Sequence, residues 1–309
     1  MPDELFEQPE TTFFGMPVGC AQDSTSPLVM MGVPCDGLVT ENPGAAAAPL
    51  SLRSCTQKVG AYSVSDARST SRRDAGIDAG DVVINRFDGE GNFQTILACV
   101  RHVVQRGAVP LLVGGDHSLT YPAVTAVAGQ HGKLRLVQID AHHDATHPAE
   151  WGCRYNHGTF VRNLIEDQVL PGSRIHQVGV RDFQFSGSGA AFVSEHGVHV
   201  VPMNQFDREG PTGLIEALRS ERSGQIYLTL DIDSVDPAYA PGTGENMVGG
   251  LTCRQILHLV KAIVTSGVPI AGADLVEVVP SRDPSGRTCA LASHLLALIV
   301  DAIEAQQRD

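Results

Sequence analysis

Four stretches of the chain run through apolar, strand-forming residues and then stop on an acid or a histidine. They are VPLLVGGDH (109–117), LRLVQIDAHHD (134–144), IYLTLDID (226–233) and PIAGADLVEV (269–278). Runs of Val, Ile and Leu without polar alternation belong to strands buried on both faces, and such strands need helices on either side of their sheet. The sequence supplies them. Strand-like runs at 27–34, 79–84, 110–113, 134–139, 175–180, 199–201, 226–229 and 270–274 alternate with helix-length segments at 48–56, 93–106, 120–131, 211–222, 252–266 and 288–306. The expected fold is therefore α/β, with a mainly parallel sheet covered by helices. The Gly/Ser-rich FSGSGA (185–190) reads as a loop, and no repeat or long linker divides the chain. A single domain over residues 1–309 is expected, with 1–26 as an N-terminal extension.

Open parallel sheets bind ligands beyond the carboxyl ends of their strands, which is where these acids and histidines fall. Asp140, His142 and Asp144 stand at i, i+2 and i+4, a spacing that directs all three to one side while the chain stays extended. Asp231 and Asp233 repeat the spacing from another strand, and His117 follows Gly114–Gly115, which let the backbone turn closely under the site. Two imidazoles and four carboxylates suit a pair of divalent cations sharing bridging carboxylates. Without a cation the four carboxylates would repel one another. Imidazole shifts the preference from Mg or Ca toward Mn, Co, Ni or Zn, and the carboxylate-rich set makes two Mn(II) ions the expectation, with Ni(II) as the alternative. A metal-activated hydrolase follows. His143, one residue after His142, should face the other way, and neither it nor His147 is expected to be a ligand.

A formal charge of −13, from 22 basic and 35 acidic residues, argues against nucleic acid or an anionic membrane as a partner. The acidic start MPDELFEQPE lacks a signal-peptide pattern, and no window approaches 18 consecutive apolar residues; a cytoplasmic protein without a membrane span is expected. Seven cysteines without close pairs or CxxC spacing are expected as free thiols.

GGDHS (114–118), DAHHD (140–144), NHG (156–158), DIDSVDPAYAPGTG (231–244) and Glu277 together resemble the ureohydrolase (arginase/agmatinase) family. GVPCDG (32–37) and DAGD (78–81) are similar to its early turns, and the likeness covers roughly residues 28–303. The resemblance implies a three-layer α/β/α fold with a roughly eight-stranded sheet. It also implies a dinuclear Mn centre, hydrolysis of a guanidino group to urea and an amine, and a homo-oligomer, trimer or hexamer. One ion would take His117, Asp140, Asp144 and Asp231. The other would take His142, Asp140, Asp231 and Asp233, so that Asp140 and Asp231 bridge. Asp144 would accept a hydrogen bond from the attacking water and pass a proton to the leaving amine. Glu277 would pair with the substrate guanidinium. His157, in the loop over the site, would shuttle protons, and Asn156 beside it would contact substrate.

The chain departs from the family pattern around the mouth of the site. ENPGAAAAPLSLR (41–53) carries Asn42 and small residues where an Arg and a Phe are common, GTGENMVGG (242–250) replaces a GTGTPE-like loop, and HGTF (157–160) lacks the usual Pro. Tyr155–Asn156–His157–Gly158 lacks the Asn/Ser-rich arginase pattern and is closer to agmatinases and guanidino-acid hydrolases. Glu245 is an extra carboxylate that would favour a cationic tail; a carboxylate tail would need Arg154 or Arg181. Trp151 either shapes a small pocket or packs in the core. The substrate is thus expected to be agmatine-like, a guanidino acid such as 4-guanidinobutyrate or 3-guanidinopropionate, or a small guanidine. Formimino or amide hydrolysis on the same metal site is the alternative reaction, and a catalytically silent partner subunit the alternative role.

Overall fold

The computed structural model describes residues 5–19, 26–184, 186–220 and 224–308. Its strands are β1 (Phe6–Glu7), β2 (Leu28–Gly32), β3 (Tyr62–Ser63), β4 (Arg68–Ser69), β5 (Ile77–Val82), β6 (Val109–Val113), β7 (Leu134–Ile139), β8 (Ile175–Val178), β9 (His199–Val201), β10 (Gln225–Asp231) and β11 (Ile270–Val276). Nine of them form one sheet in the order β1-β5-β2-β6-β11-β10-β7-β8-β9, while β3 and β4 form a separate hairpin. Every pairing in the large sheet is parallel except β1 with β5. The eight parallel strands are those expected from the apolar runs. β1 is an addition: two residues are too few to show any periodicity, and they lie in the stretch read as an extension.

Two hydrophobic clusters lie on opposite faces of the sheet. One joins Val137, Ile139, Leu228 and Leu230 to the helices Ala48–Thr56, Cys253–Val264 and Arg287–Gln306; the other joins Leu134, Leu136 and Tyr227 to Gly89–Gln105, Thr120–Gln130 and Phe160–Glu166. Adjacent residues of one strand thus serve different cores, as the period of two requires. The helix Arg287–Gln306 matches a membrane span in length and apolarity, an exception to the sequence expectation. It buries Leu295, Leu296, Ile299, Val300 and Ile303 against the sheet, as a core helix does.

Several elements differ from the sequence reading. Gly187–Glu195 is a helix where FSGSGA was expected to be a loop; Ser186 caps it by accepting from Ser188 N, and the Ala and Phe that follow carry it on. Phe160–Glu166 and Met203–Glu209 are short helices whose few residues gave no clear period. The helix expected from Phe93 begins at Gly89, because Asp88 accepts from Gly91 N and holds the first turn despite two glycines. Of the helix expected at 211–222, Thr212–Ser220 is helical and the last two residues lie outside the described ones. Phe185 and Cys20 lie outside them too; the six described cysteines are free thiols.

The four acid-tipped stretches are β6, β11, β10 and β7, adjacent at the centre of the sheet. Parallel pairing brings their carboxyl ends together at one edge, so residues far apart in sequence converge there.

Candidate metal centre

Each ligand candidate sits at the end of its strand or just past it. His117 opens a short turn after β6, with Gly114 and Gly115 pressed so closely on Leu275, Val33 and Cys35 that a side chain at either position would collide with backbone. Asp231 ends β10 and Asp233 lies in the turn after it, where Asp231 Oδ1 accepts from Asp233 N at 2.8 Å. Past β7, Asp140 Oδ1 accepts from His142 N at 2.7 Å. Asp144 (φ 49°) and Glu277 (φ 63°) hold the left-handed conformation, which costs a branched or long side chain about 1–2 kcal/mol and is kept where the surroundings force it.

The side chains form two overlapping groups. Nδ1 of His117 lies 3.1 Å from Asp140 Oδ2, 3.0 Å from Asp144 Oδ2 and 3.1 Å from Asp231 Oδ2. It is buried and makes a proper hydrogen bond to none of them. A donor nitrogen and three carboxylate oxygens that face one point without bonding each other are arranged for a cation between them. Nδ1 of His142 lies 3.0 Å from Asp233 Oδ2 and 3.6 Å from Asp140 Oδ1. Asp140 thus presents one oxygen to each group, and both groups have the proximity that a metal ion requires. The donor set fits two divalent cations.

Electrostatics in the metal-free protein point the same way. Burial, then the neighbouring Asp140 charge, pushes Asp144 up to about 8. Burial with Asp233 and Asp140 drives Asp231 well above the usual carboxylate range. Burial disfavours a charged His117, but hydrogen-bonding proximity to Asp140, Asp144 and Asp231 outweighs it and raises the ring well above its ordinary value. Protons stand where positive charge is wanted.

A row of polar side chains supports the site from below. Gln177 of β8, Gln138 of β7, Thr229 of β10 and Asp274 of β11 are paired in register across four strands, and all are fully buried. Gln177 Nε2 donates to Gln138 Oε1 (2.8 Å), and Gln138 Nε2 donates to Asp140 Oδ2 (2.7 Å) and Asp144 Oδ2 (3.2 Å). Asp274 accepts from Thr229, Tyr227 and Thr120. Because the Thr229 hydroxyl is donated to Asp274, its oxygen accepts from Nε2–H of His117, leaving the neutral ring's Nδ1 lone pair for a cation. Sequence reasoning missed this row. Its signal was present: single polar residues inside the apolar runs LVQID, YLTLD and AGADL.

Above the site, Glu277 Oε1 accepts from His117 N at 2.9 Å and lies 3.0 Å from Nδ1 of His157. The other side of that ring meets Thr40, whose N–H lies 3.1 Å from Nε2, and Glu245 Oε1 at 3.7 Å. Burial and the Thr40 N–H favour a neutral ring, but Glu277 and Glu245 together push it up to about 9. Glu245 accepts from Thr40 Oγ1 at 2.8 Å and lies 3.3 Å from Nε2 of His142. Burial raises its carboxyl, against the pull of both imidazoles.

The remaining candidates fall variously. Asn156 caps the turn at His157, its Oδ1 accepting from Gly158 N, and it lines an outer vestibule. Trp151 lines both the cavity and the vestibule, against Gly158, so it shapes the pocket and is not part of the core. His143 bonds Gln177 at 2.7 Å and His147 accepts from Ala149 N; neither joins the ligand groups. Arg154 and Arg181 are not at the mouth. Arg154 is held by Asp167 at 2.5 Å, and Arg181 is buried with Nη2 donating to Ser234 O, because Gly250 leaves room for its guanidinium there.

Comparison with known proteins agrees with this geometry. The arginase family profile matches residues 26–300. A mitochondrial agmatinase of Gallus gallus is 34% identical over 298 residues, covering 93% of this chain and 87% of its own. A mitochondrial guanidino acid hydrolase of Homo sapiens is 32% identical over 300 residues, covering 94% and 84%. Among solved structures, proclavaminate amidino hydrolase from Streptomyces clavuligerus superposes with a TM-score of 0.87 at 32% identity, over 98% of this chain and 99% of that one.

Proposed function

The chain belongs to the arginase family, and from that premise we propose that it is a dinuclear-metal amidinohydrolase that cleaves a guanidino compound to urea and an amine. The supporting observation is the pair of His/Asp groups that share Asp140. One Mn(II) would be held by His117, Asp140, Asp144 and Asp231, and a second by His142, Asp140, Asp231 and Asp233, with Ni(II) as the alternative metal. Such a pair supplies Lewis acidity and makes water acidic enough to attack a poorly electrophilic guanidinium near neutral pH.

The chain's own residues do the rest. Glu277 Oε1 is committed to His117 N and His157, which leaves Oε2 to hold the guanidinium. Asp144 is fixed by Gln138 and by its left-handed backbone; it would take the proton from the attacking water and return it to the leaving nitrogen. His157, hydrogen-bonded to Glu277, carries protons between that nitrogen and the mouth.

The test is urea release from agmatine, 4-guanidinobutyrate, 3-guanidinopropionate, arginine, methylguanidine and guanidine, with protein loaded separately with Mn(II) and Ni(II). Urea from at least one compound is the expected result, lost in Asp231→Ala together with bound metal. Formamide or ammonia from an imidic substrate, without urea from any guanidine, would replace this reading by formimino or amide hydrolysis.

A further inference from the structure

The proposed reaction leaves open what the far end of the guanidine carries, and the charge of the walls bears on it. Among the described residues, neither the cavity over the ligand groups nor the vestibule beyond Trp151 has a Lys or Arg in its lining. Each has a glutamate instead, Glu245 in the cavity and Glu41 in the vestibule. Arg154 is held outside by Asp167, and Arg181 is buried behind Ser234. Asn42, between the two glutamates' loops, is neutral and gives its Nδ2 to Gly244 O at 2.9 Å.

Glu245 is held in place. Thr40 Oγ1 donates to Oε1, Nε2 of His142 faces Oε2 at 3.3 Å, and only 14% of the side chain is exposed. A carboxylate tail on a substrate docked at Glu277 would pass this partly desolvated anion with no Lys or Arg in the lining to offset it, the rings of His142 and His157 being already turned to Glu245. An ammonium tail would be attracted, and an uncharged one would be indifferent.

We propose that the site selects guanidines with a cationic or neutral far end and rejects carboxylate-tailed guanidino acids, with Glu245 as the discriminating residue; this rests on the amidinohydrolase reading above. Three ligands with the same spacer test it: agmatine, N-butylguanidine and 4-guanidinobutyrate. Affinity is measured by calorimetry on Mn(II)-loaded protein, and urea release is followed in parallel. The acid is expected to be worse than the other two by at least about tenfold in both readouts. Glu245→Gln should narrow the agmatine-to-acid ratio by about tenfold, with N-butylguanidine as the uncharged reference within each variant. Because Glu245 touches His142, the comparison is a ratio between ligands within one variant, which partial metal loss cancels. Glu41→Lys, remote from the ligand groups, should shift the ratio the same way by a smaller, salt-sensitive amount.

An acid that binds as well as agmatine, or ratios unmoved by Glu245→Gln, would overturn the selection while urea release kept the reaction. Discrimination in binding without urea from any compound would keep the selection and overturn the reaction. Absence of both would overturn both.

Discussion

Nε2 of His117 lies 2.7 Å from Thr229 Oγ1, one residue pair below the carboxylates that its Nδ1 faces. The hydroxyl fixes the tautomer and the ring plane. Replacing it with the isosteric Val leaves packing intact and removes that control. Thr229→Val should weaken Mn(II) binding by roughly 10–100-fold with an unchanged far-UV spectrum, measured by competition with a chelator. Unchanged affinity would show that the hydroxyl does not orient His117.

Metal binding should release protons. In the metal-free protein Asp144 is raised to about 8 and the neighbouring His117 is raised as well, so an entering cation displaces protons from this group. A carboxyl whose folded pKa exceeds its unfolded one gives the folded state extra protons between the two values, so its contribution to stability falls as pH rises through that window. His117 has the same sign. Metal-free protein should therefore lose several degrees of Tm from about pH 5 to about pH 8, whereas the gain on adding Mn(II) should grow over that range. Calorimetry in buffers of different ionisation enthalpy reads the released protons directly. Metal affinity independent of pH would contradict this account.

His157 titrates under the pull of Glu277 and Glu245, which push it up to about 9. If its proton serves the leaving amine, turnover should decline as pH rises through that value. His157→Asn should lower kcat by about 10²–10⁴ and flatten the alkaline limb of the profile. A variant with lowered kcat and an intact alkaline limb would assign that limb to another group.

Stability should depend on a buried ion pair remote from the site. Arg53, 1% exposed, gives its Nε and Nη2 to Asp78, which also accepts from Phe13 N and Gly80 N. Asp78→Ala strands these donors and should cost about 3–5 kcal/mol in urea unfolding, since a broken buried pair leaves a desolvated charge. A loss below 1 kcal/mol would mean that Asp81, 2.6 Å from Nη1, carries the pairing alone.

The eight parallel strands were legible because burial on both faces demands continuous apolar runs, and acid at the ends of four of them marked the sheet edge where the ligand candidates gather. His117, Asp140, His142, Asp144, Asp231 and Asp233 do meet, as their spacing predicts. What the sequence concealed depends on tertiary contact. The left-handed turns at Asp144 and Glu277 leave no mark in residue type. Arg154 and Arg181 look available on paper and are not, since Asp167 lies 13 positions away and Gly250 much farther still. Thr40, which holds both His157 and Glu245, lies in a loop with no recognisable motif.

The row Gln177–Gln138–Thr229–Asp274 does more than steady imidazoles and carboxylates. Apolar parallel strands can slide past one another at little cost, because one Val or Leu substitutes well for the next. A slip of a single residue in any of these four would carry a polar side chain through to the opposite aliphatic face, unbonded, and would bring an aliphatic one beneath the carboxylates. The same four side chains thus act as an alignment key during folding: correct strand registry and a competent catalytic edge are assembled, or missed, together.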